Sequence, residues 1–237
     1  MNTHPLVSVV VPTFDEAAQL PALLDHLAAL PGRWEVIVAD GGSRDDSQQV
    51  VGRRGTRAPF ARLVHAARGR AAQMNAGAAT AHGDALLFLH ADTRLPGGAY
   101  ETLRQALGHP HVVGGNFALR FDGEDRFSVV LGHWYALQRR TGVYYGDSAI
   151  WLRVGTWRRL GGFRALAIME DYDLVRRLER LPAPARTLCL PGPALTSSRR
   201  WRRLGIARTI LSWVVIRWLY LAGLPAQRLA ALYRHVR

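Results

Sequence analysis

Ala85-Leu86-Leu87-Phe88-Leu89-His90-Ala91-Asp92-Thr93 is an apolar run that stops on a carboxylate. A strand buried on both faces of a parallel sheet reads as a short continuous apolar stretch, and open α/β sheets bind ligands beyond the carboxyl ends of their strands. Glu35-Val36-Ile37-Val38-Ala39-Asp40-Gly41-Gly42-Ser43 repeats the pattern. Acids in these places either face a ligand or metal, or cap the turns that follow. Asp92, with Thr93 beside it, has the chemistry to hold a divalent cation against phosphate oxygens.

Working outward, Val7 to Pro12 is a β-rich run, and Leu20, Leu23, Leu24, Leu27 and Leu30 recur at helical spacing, with Pro21 suited to a first helical turn. Ser43 and Asp45 are natural caps for a helix near Asp45 to Val51. Arg62 to Ala66 reads as a strand and Gly69 to Thr80 as an alanine-rich helix. Strands alternating with helices predict a doubly wound, mostly parallel central sheet. Beyond Asp92 the pattern predicts a helix over Leu95 to Leu107, a strand over Val112 to Phe121 and an amphipathic helix over Phe127 to Arg140. A turn at Gly161-Gly162-Phe163 leads to a helix starting near Ile168, whose first turn carries Glu170, Asp171 and Asp173 where the macrodipole favours acids. The expected fold class is α/β: one Rossmann-like domain over residues 1–203, followed by an apolar and basic helical tail over 204–237.

Hydrophobic content of 49% and charged content of 21% fit a folded globular chain and exclude a disordered or low-complexity one. Cys189 is the only cysteine, which excludes an internal disulfide and a cysteine metal cluster. Met1 to Pro5 carries no Arg or Lys, and Leu6 to Val11 is too short for a secretory signal, so the expected address is cytoplasmic. The net charge of +13 is localised. Residues 1–179 hold 20 arginines and all 18 acids, whereas residues 180–237 hold 11 arginines and no acid. Arginine bias alone explains the absence of lysine but not the absence of acids from the tail.

Val10-Val-Pro12-Thr13-Phe14-Asp15-Glu16, Val38-Ala-Asp40-Gly41-Gly42-Ser43-Arg44-Asp45, His90-Ala-Asp92-Thr93, Gly161-Gly162-Phe163 and Glu170-Asp171-Tyr-Asp173-Leu occur in this order. Together they resemble the series found in family 2 glycosyltransferases of the GT-A fold, over about residues 6–202. The resemblance implies an inverting enzyme that moves a sugar from a nucleotide-diphosphate donor to a hydroxyl or carboxyl acceptor, including one linked to lipid. It implies that Thr13 and Glu16 border the nucleoside, with Asp15 where Asn is frequent, and that Asp40 hydrogen-bonds the base. A cap of the Gly41-Gly42-Ser43 turn is the alternative for Asp40. Arg70 and Asn75 match polar residues beside the donor, and a solvated helix face is equally open to them.

In the same family terms Asp92 is the metal ligand, for Mg²⁺ or Mn²⁺. The usual Asp-x-Asp pattern has His90 in its first position here. One carboxylate suffices when phosphates and water complete the shell; imidazole in the shell favours Mn²⁺ or softer ions. His90 is expected to contact ribose or phosphate in preference to the metal. Asp171 matches the general base that takes the acceptor proton, and Glu170 would orient the acceptor or Asp171. Capping the helix is the structural alternative for Asp171. Tyr144, Tyr145 and Asp147 are acceptor candidates, with core aromatics the alternative for the tyrosines. Arg200 and Trp201 resemble a shortened QxxRW end that closes over the pyrophosphate, while Arg199, Arg200, Arg202, Arg203 and Arg208 also read as an electrostatic anchor.

Residues 206–224 are almost unbroken apolar surface interrupted by Arg217. A central Arg costs about 2.5–3.5 kcal/mol on insertion scales, which disfavours spanning. Basic flanks with Trp and Tyr suit a helix lying on an anionic leaflet, and packing onto the core or a second subunit is the alternative. The expected address is thus peripheral, at the inner face of the cell membrane. Two other functions compete with this reading. A sugar nucleotidyltransferase would need a glycine-rich phosphate loop after the first strand, and Pro12 to Glu16 contains no glycine. A basic nucleic-acid-binding protein would need exposed cations between its aromatics, but Trp213 and Trp218 sit in an apolar helical run.

Overall fold

The computed structural model of the protein describes residues 4–55, 61–123, 126–198 and 205–236. Seven strands form one sheet: β1 (Val7–Thr13), β2 (Trp34–Asp40), β3 (Ala61–His65), β4 (Ala85–Phe88), β5 (Val112–Phe121), β6 (Trp151–Arg153) and β7 (Arg186–Thr196), in the order β3-β2-β1-β4-β6-β5-β7. The helices are α1 (Leu20–Ala29), α2 (Ser47–Gly55), α3 (Arg70–Ala79), α4 (Ala99–Gly108), α5 (Arg126–Arg140), α6 (Val154–Leu160), α7 (Glu170–Glu179), α8 (Ile206–Leu221) and α9 (Ala226–Val236).

Alternation along each strand divides the core in two. Val7, Val9 and Val11 of β1, Val36 and Val38 of β2 and Leu87 of β4 pack on one face with Leu20, Leu23, Leu24 and Leu27 of α1. Val10, Ile37, Leu86 and Phe88 point the other way, onto Ala71, Met74 and Ala78 of α3. Each such buried side chain contributes about 1.5–3 kcal/mol, so the two rows carry most of the sheet's stability. The alanine-rich character of α3 follows from its closeness to β1. A Cβ on Gly77 would sit 2.5 Å from Val10 Cγ1, so a larger residue there would push the helix off the sheet.

The chain turns back across β1, which pairs in parallel with β2 on one side and β4 on the other. This switch point places the carboxyl ends of β1, β2 and β4 around one crevice. The amino end of the sheet carries a structural knot instead. Glu35 accepts from Ser8 Oγ at 2.6 Å, Arg62 Nη2 at 2.9 Å and His82 N at 3.0 Å. Partial burial pushes the Glu35 carboxyl up, but these hydrogen bonds overcome that effect and hold it down at about 2.

The sheet is mostly parallel, as the alternating βα pattern predicts, with one strand reversed. β6 runs antiparallel to both β4 and β5. Its three residues are too few to show a period. β7, which pairs in parallel with β5, contains Pro191, Gly192 and Pro193 and reads as a loop. It closes one edge of the sheet, where prolines are tolerated.

The tail folds back onto the domain. Ile216 and Leu229 are buried with Tyr145, Ile168, Met169 and Tyr172, and Trp213 and Tyr220 pack against the same cluster. Arg217 Nη1 donates to Gln138 Oε1 at 2.6 Å, and the Tyr220 hydroxyl donates to Asp173 Oδ1 at 3.0 Å. Among the described residues no helix is long and apolar enough to cross a membrane.

Candidate functional site

Four chain segments meet beyond β4. The first is the start of α3, where Arg70 follows the positive-φ Gly69. The second is the turn after β4 that holds His90 and Asp92. The third is a 3-10 turn over Gly146–Ser148, which precedes β6. Because β6 runs antiparallel to β4, the residues just before it lie beside the carboxyl end of β4. The start of α7, with Glu170 and Asp171, completes the ring.

Gly146 is the point of convergence. A Cβ there would meet His90 Nε2 at 2.9 Å, Arg70 Nη2 at 3.1 Å and Asp171 Oδ2 at 3.2 Å. Its backbone N–H donates to Asp171 Oδ2 at 2.8 Å, while the Tyr172 N–H donates to Asp171 Oδ1 at 2.7 Å. The carboxylate is therefore oriented by two main-chain donors, with a lone pair left on each oxygen. Met169, the residue before α7, has φ 69°, a conformation that costs about 1–3 kcal/mol in a residue with a side chain and recurs at functional turns.

Arg70 ties the ring together. Its Nε lies 3.2 Å from Glu170 Oε1, its Nη2 lies 4.0 Å from Asp171 Oδ2, and the same Nη2 is 2.7 Å from His90 Nε2. A guanidinium only donates, so His90 Nε2 accepts and the neutral ring carries its proton on Nδ1. The Nε2 lone pair is thereby committed to Arg70 and is not presented to a metal. Burial pushes the Glu170 carboxyl up, Arg70 opposes it, and Asp171 reinforces it.

Asp147 is the residue most changed by these surroundings. Its Oδ1 is sealed from solvent with no hydrogen-bond partner. Burial, with the negative charges of Asp171 and Asp92, pushes its carboxyl up to about 7 against the opposing pull of Tyr135 and Arg70. Among the described residues no group of three or more His, Cys, Asp or Glu side chains is arranged to hold a metal. The donor set here, one Asp92 carboxylate beside an imidazole already engaged, fits a cation whose shell is completed by phosphate and water oxygens. It does not fit a closed protein cage.

The other expected site residues fall in different places. Asp40 caps its turn: Oδ2 accepts from Gly42 N at 3.0 Å, Ser43 N at 3.1 Å and Gln48 Nε2 at 2.8 Å. Burial pushes its carboxyl up, but the Ser43, Gly42 and Gln48 hydrogen bonds win and lower it. Thr13 is buried and its Oγ1 bonds Val11 O at 3.3 Å. Glu16 lies in the following loop, where its N–H donates to Ser47 Oγ at 2.9 Å. Asp15 has φ 54°, a left-handed conformation that Asn and Asp tolerate better than most residues. Asn75 does not face the crevice through its amide: Nδ2 donates to Phe163 O at 2.8 Å and Oδ1 accepts from Phe163 N at 2.9 Å.

Tyr145 is buried and stacked on Tyr172 at 5.6 Å, and Tyr144 is buried with Ile150 and Val175. Both are core aromatics. Asp173 is held by Arg177 Nε at 2.8 Å and Arg164 Nη1 at 3.1 Å. Arg200 and Trp201 lie outside the described residues. Two features escape the sequence reading. Gly146 acts through its backbone and its lack of a side chain, which no residue pattern announces. Arg68 lies over the Phe14 ring at 4.2 Å, beside the loop that follows β1, and the run Ala67-Arg-Gly69-Arg70 is its only signal.

The family model for glycosyl transferase family 2 matches residues 8–165. The undecaprenyl-phosphate 4-deoxy-4-formamido-L-arabinose transferase of Aeromonas hydrophila is 34% identical over 157 residues, covering 62% of this chain and 48% of that one. Its counterpart in Pseudomonas syringae is 36% identical over 105 residues, covering 40% and 31%. The chain thus spans about half or less of the length of these curated relatives. A mannosyltransferase from Pyrobaculum calidifontis, solved with GDP-Man and Mn²⁺, superposes with a TM-score of 0.66 at 23% identity, over 85% of this chain and 61% of that one. Staphylococcus aureus TarS 1–349 with UDP-GlcNAc gives 0.65 at 15% identity, over 81% and 58%. These likenesses show a shared fold.

Proposed function

The chain belongs to glycosyl transferase family 2, and we propose that it transfers a sugar, with inversion, from a nucleotide-diphosphate donor to a hydroxyl or carboxyl acceptor carried on a lipid. The observation that carries this reading is the convergence of Arg70, His90 and Asp171 on Gly146. Supporting context comes from the relatives, whose names specify undecaprenyl phosphate, and from the neighbours solved with GDP-Man and UDP-GlcNAc.

Inverting transfer needs a base on the acceptor side and positive charge on the leaving side. Asp171 is the proposed base. Its two backbone donors fix the carboxylate plane, and the free lone pair takes the acceptor proton as the acceptor oxygen attacks the anomeric carbon. Arg70, beside it, holds a fixed positive charge, and His90, hydrogen-bonded to Arg70 through Nε2, is the proposed contact for a ribose or phosphate oxygen. Asp92 would hold Mg²⁺ or Mn²⁺, which when bound would neutralise charge growing on the departing diphosphate. Asp147, whose carboxyl burial pushes up to about 7, is the proposed hydrogen-bond donor on the acceptor side.

The reading is tested by thermal shift against a panel of nucleoside diphosphates and their sugars, each with Mg²⁺ and Mn²⁺. A ligand at 100 times its Kd stabilises the folded chain by about 2.7 kcal/mol, so the donor's nucleotide should stand out as a rise in Tm. A panel in which no nucleotide moves the melt would overturn the assignment.

A further inference from the structure

α8 is apolar around most of its circumference, and the fold covers only one side of it. Ile216 is buried, and Trp213 and Tyr220 pack inward. On the opposite side Leu211, Val215, Trp218 and Leu221 recur at helical spacing and stay 63, 45, 63 and 39% exposed. The neighbouring α5 continues this surface. Its Trp134 and Gln138 meet Val214 and Arg217 along a shared seam, and its Val129, Val130 and Leu137 are all more than half exposed. A helix that is hydrophobic all round is normally covered, and a contiguous apolar face left open marks a docking site.

Charge selects the occupant. After Glu179 the chain contains 11 arginines and no acid, and Arg208 and Arg228 are exposed on α8 and α9. A two-fold dimer through this face would set the patch against itself, bringing two acid-free arginine segments together. An anionic bilayer supplies the opposite sign. Leu and Val rows sink to the acyl boundary, Trp218 sits at headgroup level, and arginines reach lipid phosphates. We propose that the outer faces of α8 and α5 form a docking surface for an anionic lipid bilayer. The surface stands on its own geometry; only its use rests on the transfer reading. The inner face of α8 sets Trp213 against Tyr145 with ring centroids 5.7 Å apart and planes tilted by 54°, so docking holds the turn bearing Asp147 close to lipid and to an acceptor embedded there.

The test sediments the full chain with phosphatidylglycerol vesicles and with phosphatidylcholine vesicles, while nucleotide binding is followed by thermal shift. Binding to the anionic vesicles should exceed binding to the neutral ones at least tenfold and weaken with salt. Leu211→Glu with Trp218→Glu should cut it at least tenfold with the nucleotide-induced shift unchanged. If that pair disturbs the melt, Leu211→Ser with Trp218→Ala must give the same loss. Lipid binding without any nucleotide-induced shift supports the surface and counts against the transfer reading. The proposal is overturned if the wild type stays in the supernatant, if the variants bind as well as the wild type, or if sedimentation velocity shows a dimer that the double variant dissociates.

Discussion

The backbone N–H of Gly146 donates to Asp171 Oδ2 over 2.8 Å, joining the turn before β6 to the start of α7. With the Tyr172 N–H on Oδ1, this bond sets the direction in which the carboxylate faces. Asp171→Asn keeps the shape and removes the basicity. Transfer should fall about 10²–10⁴-fold while nucleotide affinity changes less than threefold. Radiolabel transfer and donor titration, run side by side, check it; a parallel loss of both would place Asp171 in binding.

Asp92 is the proposed cation ligand in the crevice, so its removal should act through the metal. In Asp92→Ala the Mn²⁺-dependent part of the nucleotide-induced Tm rise should vanish, as should transfer. A chelator should reproduce both effects in the wild type. Transfer that survives the chelator would exclude the metal.

Asp147 links the centre to pH. Its folded-state carboxyl lies at about 7 against an ordinary 3.8, so between those values the folded chain holds a proton that the unfolded chain has released. Its contribution to stability is therefore complete below the unfolded value and is lost as pH rises through about 7, by up to about 4 kcal/mol. Urea unfolding of the metal-free protein at pH 5 and pH 8 should show about 3 kcal/mol of this loss, since the slope of about 1.4 kcal/mol per pH unit acts only up to about pH 7, and Asp147→Asn should flatten it. An unchanged pH dependence in the variant would remove Asp147 from the account.

Asn75 distinguishes a clamp from a ligand contact. Asn75→Ala leaves the Phe163 N–H and C=O without their partner, a cost of about 1–3 kcal/mol in unfolding free energy. Donor affinity of the folded variant should stay within about threefold of wild type. A tenfold weaker donor Kd, with the melt unmoved, would restore a direct contact.

Much of this architecture is legible in the chain because burial on both faces leaves a continuous apolar run. β2 and β4 are visible for that reason, and the acid ending β2 is where the reading places it. α3, α4, α5 and α7 announce themselves by composition and period, although α4 starts later than expected because Pro96, Gly97 and Gly98 occupy its approach. β6 and β7 are hidden, one by brevity and the other by its prolines. Side-chain roles are less legible than positions. Asp40 and Asn75 have the residue types of ligand contacts, yet each is satisfied by nearby backbone groups that lie far off in sequence or around a turn. The tail's composition allows lipid or protein as its neighbour; the fold shows α8 packed against protein on one side and open on the other.

The reversed direction of β6 has a further consequence for how such a chain diversifies. β5 and β6 are hydrogen-bonded neighbours, with Gly115 opposite Trp151, so everything between them is an excursion whose two ends are stapled together in the sheet. Lengthening a closed loop costs only about 0.6 kcal/mol per doubling. The stretch from Phe121 to Ala149 can therefore change length at small entropic cost without moving β2 and β4, which carry Asp40 and lead to Asp92. Its fixed points are Leu131, buried against Phe121, Arg139, which donates to Asn116 Oδ1 and Thr187 Oγ1, and the Gly146 turn.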